Sequence, residues 1–135
     1  MQWLDDKVYT NKFLETLDKE SFPLTYRMCT KNKFDTGSII VRQLKNQEIE
    51  HPIYIIIYEE RKPKEFHIYS IEVHPNCRLQ DYGRRALNKF KETADVITLC
   101  CLPEIKLFYK KLGFTEMDDN GLRLIWRKNF RRKND

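Results

Sequence analysis

The sequence predicts a mixed α/β domain built on a largely antiparallel sheet. Three observations predict it. Three strand-like runs, Ser38 to Leu44, Ile53 to Tyr58 and Phe66 to Val73, follow one another across short polar connections. A strand–helix–strand–helix succession then runs from Phe66 to Leu112. The chain closes on two short extended segments around Asp118-Asp119-Asn120-Gly121, a strong hairpin turn.

Each element has its own signal. Leu4, Val8, Leu14 and Leu17 recur at roughly helical spacing, so Trp3 to Leu17 is expected to be helical and Pro23 to end that region. Tyr26 to Thr30 reads as a short strand or turn, and Asp35-Thr36-Gly37 as a turn. Ser38 to Leu44 is rich in β-branched residues. Asn46 to His51 reads as a loop. Ile53 to Tyr58 is continuously apolar, as a strand covered on both faces must be. The charged link Glu59 to Lys64, with Pro63, suits a hairpin into Phe66 to Val73. Tyr82, Ala86, Phe90 and Ala94 recur every four residues and predict a helix from Tyr82 to Thr93. Val96 to Cys101 reads as a buried strand. Pro103 can open a helix, because its missing N–H lies where no partner exists. Ile105, Phe108, Tyr109 and Leu112 form one apolar stripe, and Gly113 ends the helix. Phe114 to Met117 and the alternating Leu122 to Arg127 close the sheet.

With 135 residues, 41% of them hydrophobic and 33% charged, the chain is expected to form one globular domain over residues 1–128. The basic segment 129–135 is expected to be a frayed tail. No apolar run approaches the roughly 20 residues of a membrane span, and no leader is read at the N-terminus, so a cytoplasmic location is expected. Four cysteines without a CxxC pair argue against zinc and for buried, reduced thiols, and no metal is expected. The net charge of +5 suits an anionic ligand such as a nucleotide, a coenzyme, nucleic acid or an acidic protein.

The segment Arg78-Leu79-Gln80-Asp81-Tyr82-Gly83-Arg84-Arg85 carries the most chemistry. It lies between a strand closed by His74-Pro75 and the start of a helix. The first amides of a helix have no internal partner, and the helix dipole favours an anion there. Gly83 lets backbone approach a ligand, and the arginines add positive charge.

Two segments together resemble the GNAT-family N-acetyltransferases. Val73-His74-Pro75 with Arg78 to Gly83 resembles the family's acetyl-CoA loop, Arg/Gln-x-x-Gly-x-Gly/Ala. Phe108-Tyr109-Lys110-Lys111-Leu112-Gly113-Phe114 resembles its late tyrosine-bearing helix. The resemblance covers about 38–128 and implies a sheet of six or seven strands, flanked by helices, with a β-α-β core that binds the coenzyme. The sequence departs from the family where Asp81 replaces the usual first glycine, where Leu102-Pro103 replace a common asparagine, and in short N-terminal elements.

The resemblance implies direct acetyl transfer from acetyl-CoA to a primary amine in a ternary complex. Arg78, Leu79, Gln80, Asp81, Tyr82, Gly83 and Arg84 would hold the pyrophosphate. The backbone of Ile71 and Val73 would pair with the pantetheine arm. Tyr109 would protonate the departing thiolate. A lysine-like amine, pKa about 10.4, is only ~0.04% neutral at pH 7, so a base is needed. His67 stands where some family members have a glutamate, and a histidine suits the task. Glu72 is a second candidate, which simple alternation places on the opposite strand face. The acceptor, a small molecule or a protein amine, is open at this stage; Glu48, Glu50 or Glu72 would suit a cationic one. Two other readings are a GNAT-like interaction module that binds coenzyme poorly, because of Asp81, and a nucleic-acid-binding protein. A homodimer through the terminal sheet edge is also expected as an option.

Overall fold

A computed structural model describes residues 2–6, 15, 17–31, 39–45, 53–78, 80–117 and 121–128. Seven strands form one sheet: β1 (Gln2–Asp6), β2 (Ile39–Lys45), β3 (Tyr54–Lys62), β4 (Glu65–Val73), β5 (Val96–Cys100), β6 (Thr115–Glu116) and β7 (Arg123–Arg127). Their order is β1-β2-β3-β4-β5-β7-β6. Only the β4–β5 pairing is parallel among these strands. The helices are α1 (Pro23–Lys31), α2 (Tyr82–Thr93) and α3 (Lys106–Lys111), with 3₁₀ turns at Pro75–Cys77 and Pro103–Ile105. No helix among the described residues is long and apolar enough to cross a membrane.

The expected apolar run lies at the centre of the sheet. Every residue from Ile53 to Tyr58 is buried. Tyr54, Ile56 and Tyr58 join Ile68, Leu87, Phe90, Ile97, Tyr109, Phe114 and Leu124 in one core under α2 and α3. Ile55 and Ile57 point the other way and pack with Phe22 and Cys29 of the α1 region. The four-residue repeat of the sequence is the buried face of α2: Tyr82, Ala86 and Phe90 are buried, as is Ala94 just beyond its end.

The N-terminal third departs from expectation. Gln2–Asp6 is a strand, paired antiparallel with β2 from Gln2↔Lys45 to Asp6↔Val41, and not part of a helix. Pro23 opens a helix rather than ending one, and Tyr26 to Thr30 lies inside α1. The cause is long-range. Pro23 needs no N–H partner at the first turn, and the next two amides, of Leu24 and Thr25, donate to the carboxylate of Glu72 on β4 at 3.0 and 2.6 Å. A capping group 47 residues away leaves no local signal. The apolar stripe expected for the late helix is only partly buried: Ile105 and Phe108 are exposed, while Tyr109 is buried. The four cysteines are unbridged, but Cys100 is exposed rather than buried. The loop at 46–51, most of the Asp118 to Gly121 turn and the tail at 129–135 lie outside the described residues.

Strand β4 contains a bulge that positions the site. Tyr58 opposes Ile68 and Ile57 opposes Ser70, so Tyr69 is an extra residue without a counterpart on β3. The alternation changes phase there. Phe66 and Ile68 face the α2–α3 core, and so do Ile71 and Val73. His67 (opposite Glu59), Tyr69 (against the α1 cluster), Ser70 (opposite Ile57) and Glu72 (opposite Ile55) all face the α1 side. The expectation that His67 and Glu72 lie on opposite faces is therefore corrected: one inserted residue brings them to the same side.

Candidate active site

The bulge coincides with the end of the parallel ladder. β4 and β5 pair from Glu65↔Val96 to Ile68↔Leu99 and no further. β5 stays with β7 through Cys100↔Arg123, and the Cys101 amide donates to the Leu122 carbonyl at 2.9 Å. β4 continues to Val73 beside β3. The two strands part, and residues 69–73 border a notch on the side away from β3. A bulge bends and twists its strand, which is a sufficient cause.

At the outer end of the notch lies a cavity of about 530 Å³, lined by Val73, Cys77, Arg78, Asp81, Tyr82, Gly83, Arg84 and Phe108. Six of these belong to the expected coenzyme set. Gln80 and Ile71 are not in the lining, and Leu79 lies outside the described residues. Cys77 and Phe108 are additions that sequence reasoning missed. Phe108 sits in a stripe that reads as core, yet its ring edge flanks Gly83: a Cβ built there would lie 3.4 Å from Phe108 Cζ.

Asp81 holds the N-cap position of α2 without capping it. Its backbone is left-handed, with φ 69°, the region where glycine is most at ease. The carboxylate turns to Arg84, accepting from Nε at 2.7 Å and from Nη2. That hydrogen bond, aided by the charges of Arg84 and Arg85, holds the Asp81 carboxyl below its ordinary range. Arg78 donates its Nε to the Val73 carbonyl at 3.4 Å. Arg85 stacks over Tyr82, 5.1 Å from the ring centre. The cavity thus meets the uncapped first turn of a twelve-residue helix, Arg78 and Arg84, with one opposing carboxylate already paired. These residues fit a pyrophosphate, and the open edge of β4 fits an extended amide-bearing arm.

The two expected catalytic residues lie apart. Tyr109 is buried in the α2–α3 core, its ring 5.1 Å from Phe108 and 5.7 Å from Phe114. Burial, with Cys101 nearby, pushes its hydroxyl up to about 12, so it remains protonated and can donate. His67 is half-buried on the α1 side. Its Nδ1 is 2.7 Å from Thr98 Oγ1, and its ring meets Tyr69 edge-on at 4.8 Å. Burial first, then Arg61 and Arg123, against an opposing effect of Glu59, lower its pKa to about 4. It is therefore neutral at pH 7, with weak proton affinity.

Glu72 is occupied by structure. Besides the two α1 amides, it accepts from Thr25 Oγ1 at 2.8 Å, and it is buried. Neither a base nor an acceptor site follows from that arrangement. Glu48 and Glu50 lie outside the described residues.

The sheet order, the parting of β4 from β5 and the helix start at their mouth define a class of fold, that of the GNAT acetyltransferases. Solved structures share it. Tetrahymena GCN5 superposes with a TM-score of 0.69 at 19% identity, covering 96% of this chain and 97% of that one. An IAA acetyltransferase from Bacillus cereus gives 0.58 at 15% identity, over 94% and 100% of the two chains. A Bacillus subtilis acetyltransferase in complex with CoA gives 0.60 at 14% identity, over 95% and 99%. At such identities the likeness is one of fold. No protein-family pattern and no curated protein matches the sequence.

Proposed function

We propose that this chain is an N-acetyltransferase that takes acetyl-CoA as co-substrate and acetylates a primary amine directly in a ternary complex. The observation that carries this reading is the β4–β5 notch ending in the Arg78–Arg84 cavity at the uncapped start of α2. The likeness in fold to a CoA-bound acetyltransferase supports it.

Coenzyme A, when bound, supplies the acetyl group as a thioester. The chain's residues divide the remaining work. The first turn of α2, with Arg78 and Arg84, holds the pyrophosphate; Asp81, Tyr82 and Gly83 shape the loop. The backbone of Ile71 and Val73 aligns the pantetheine arm, and an amide of that edge polarises the thioester carbonyl. The amine lone pair attacks the carbonyl carbon. The C–N bond forms, the C–S bond breaks, the nitrogen loses one proton and the thiolate gains one. Tyr109 is the donor to the thiolate. His67 assists proton removal through its contact with Thr98; its low basicity makes it a relay rather than a strong base.

Titration calorimetry with acetyl-CoA tests the reading on the native chain, Asp81→Gly and Tyr109→Phe. The expected result is micromolar binding by the native chain, tighter binding by Asp81→Gly and unchanged binding by Tyr109→Phe. Tyr109→Phe should lower kcat by about 10²-fold or more. No binding by either the native chain or Asp81→Gly would overturn the assignment. Binding by Asp81→Gly alone favours the second reading, a GNAT-like interaction module whose cradle is held shut by the Asp81–Arg84 pair.

A further inference from the structure

We infer that the acceptor is an amine that carries a carboxylate close to its nitrogen, and that Arg123 is the residue that selects it. The inference rests on the acetyltransferase reading and names its second substrate.

The acceptor has one open approach among the described elements. α2 and α3 fill one face of the sheet around the notch. On the other face α1 packs on β3 and β4 through Phe22 and Cys29. The part of that face on β5 and β7 is different. Ile97, Leu99, Leu124 and Trp126 point into the α2–α3 core, so Thr98, Cys100, Arg123 and Ile125 point outward on the α1 side. Cys100 and Arg123 are exposed there. They are register partners, and Cys100 ends β5 where it has parted from β4. Arg123 therefore stands at the mouth of the notch, one strand from its rim, on the same face as His67 and Tyr69.

The charges near that mouth are unequal. Glu59 is engaged by Arg61 Nε at 3.1 Å and by the Tyr69 hydroxyl at 3.2 Å. Glu72 is engaged by α1. Glu65 lies at the opposite end of β4, beside Val96. No carboxylate among the described residues is within ion-pair distance of Arg123. Its field reaches the centre of the face, where it disfavours a proton on His67. A polyamine arriving here is repelled. An amine with a neighbouring carboxylate is held by its anionic end, in the bidentate manner that arginine favours, with the nitrogen left toward the notch. The same positive field favours the neutral amine, whose lone pair forms the C–N bond.

The experiment measures acetyl-CoA binding, then thiol release with four acceptors: free glutamate, a peptide beginning with aspartate, spermidine and a lysine-rich peptide. The expected kcat/KM is at least tenfold higher for the acidic acceptors, the two arms separating free amino acid from peptide. Arg123→Gln should raise KM for the preferred acidic acceptor about tenfold with little change in kcat or in coenzyme binding. Arg123→Lys should recover part of the loss. Preference for spermidine or the lysine-rich peptide, or indifference to Arg123→Gln, would overturn the inference while coenzyme binding keeps the acetyltransferase reading standing. Failure to bind acetyl-CoA would overturn both.

Discussion

Replacing Glu72 with alanine should destabilise the fold by about 3 kcal/mol. The carboxylate is 7% exposed and accepts three hydrogen bonds, from the Leu24 and Thr25 amides and the Thr25 hydroxyl. Thr25 itself is fully buried, so water cannot easily replace the lost acceptor. Loss of a helix cap costs about 1 kcal/mol, and a buried donor left unsatisfied about 1–3 kcal/mol. The desolvation of the carboxylate in the native protein offsets part of that sum. For a chain of this length the result is a fall in Tm of roughly 10 °C. Glu72→Gln keeps one acceptor oxygen but turns an N–H₂ toward an N–H or O–H donor, so about half the loss is expected. The assay is urea unfolding followed by far-UV circular dichroism, with hydrogen exchange at Leu24 and Thr25 as the local readout. Stability of Glu72→Ala within 0.5 kcal/mol of native, about the scatter of ordinary surface substitutions, would refute the argument that this side chain caps α1.

His67 predicts a pH dependence of stability. Its folded pKa of about 4 lies below the 6.5 of the unfolded chain, so between these values the unfolded state binds more protons. Stability should rise with pH from about 4 to 6.5, by about 1–2 kcal/mol once the partial exposure of the ring is allowed for. In His67→Gln that component should vanish; an unchanged slope in parallel urea titrations would count against it. Gly121 has φ 71°, and a Cβ there would lie 2.9 Å from Lys106 Nζ and 3.1 Å from Glu116 Oε1. Gly121→Ala should cost about 1–2 kcal/mol by thermal unfolding, chiefly from backbone strain because the side-chain ends can move; a neutral effect would show that the hairpin adjusts.

The parts of this fold legible in the sequence are those whose cause is local. The run Ile53 to Tyr58 announces a central strand because apolar side chains on both parities can be satisfied only between two layers. The Tyr82, Ala86, Phe90, Ala94 repeat announces α2 for the same kind of reason. The cavity at the start of α2 was legible only through two motifs in order, Arg78 to Arg85 and the tyrosine-bearing Phe108 to Phe114, because a glycine and arginines at a helix start are common on their own. What escaped was caused at a distance. The N-cap of α1 is a glutamate on β4, so Pro23 reads as a terminator when it is a beginning. Gln2–Asp6 takes its conformation from its ladder with β2, where register and not periodicity decides. Phe108 escaped because an aromatic beside Tyr109 looks like core until Gly83 is placed against its edge.

Tyr69 acts on β4 as a phase slip acts on a wave. A strand with a single phase can satisfy one partition of polar and apolar side chains between two layers. With the slip, each half of β4 is written in its own phase: Phe66 and Ile68 on even numbers, Ile71 and Val73 on odd ones, all for the same core. Deleting this one residue would remove the slip and leave every facing as it is: Ser70 would follow Ile68 directly, and plain alternation would keep Ile71 and Val73 on the core side and Glu72 on the α1 side. Keeping the residue but pairing it regularly would do the opposite: Ile71 and Val73 would turn toward α1 and the Glu72 carboxylate would enter the apolar layer beneath α2. The chain can vary many side chains along this strand, but while two residues separate Ile68 from Ile71 the bulge must stay, because regular pairing there would exchange the inside of the protein for the outside.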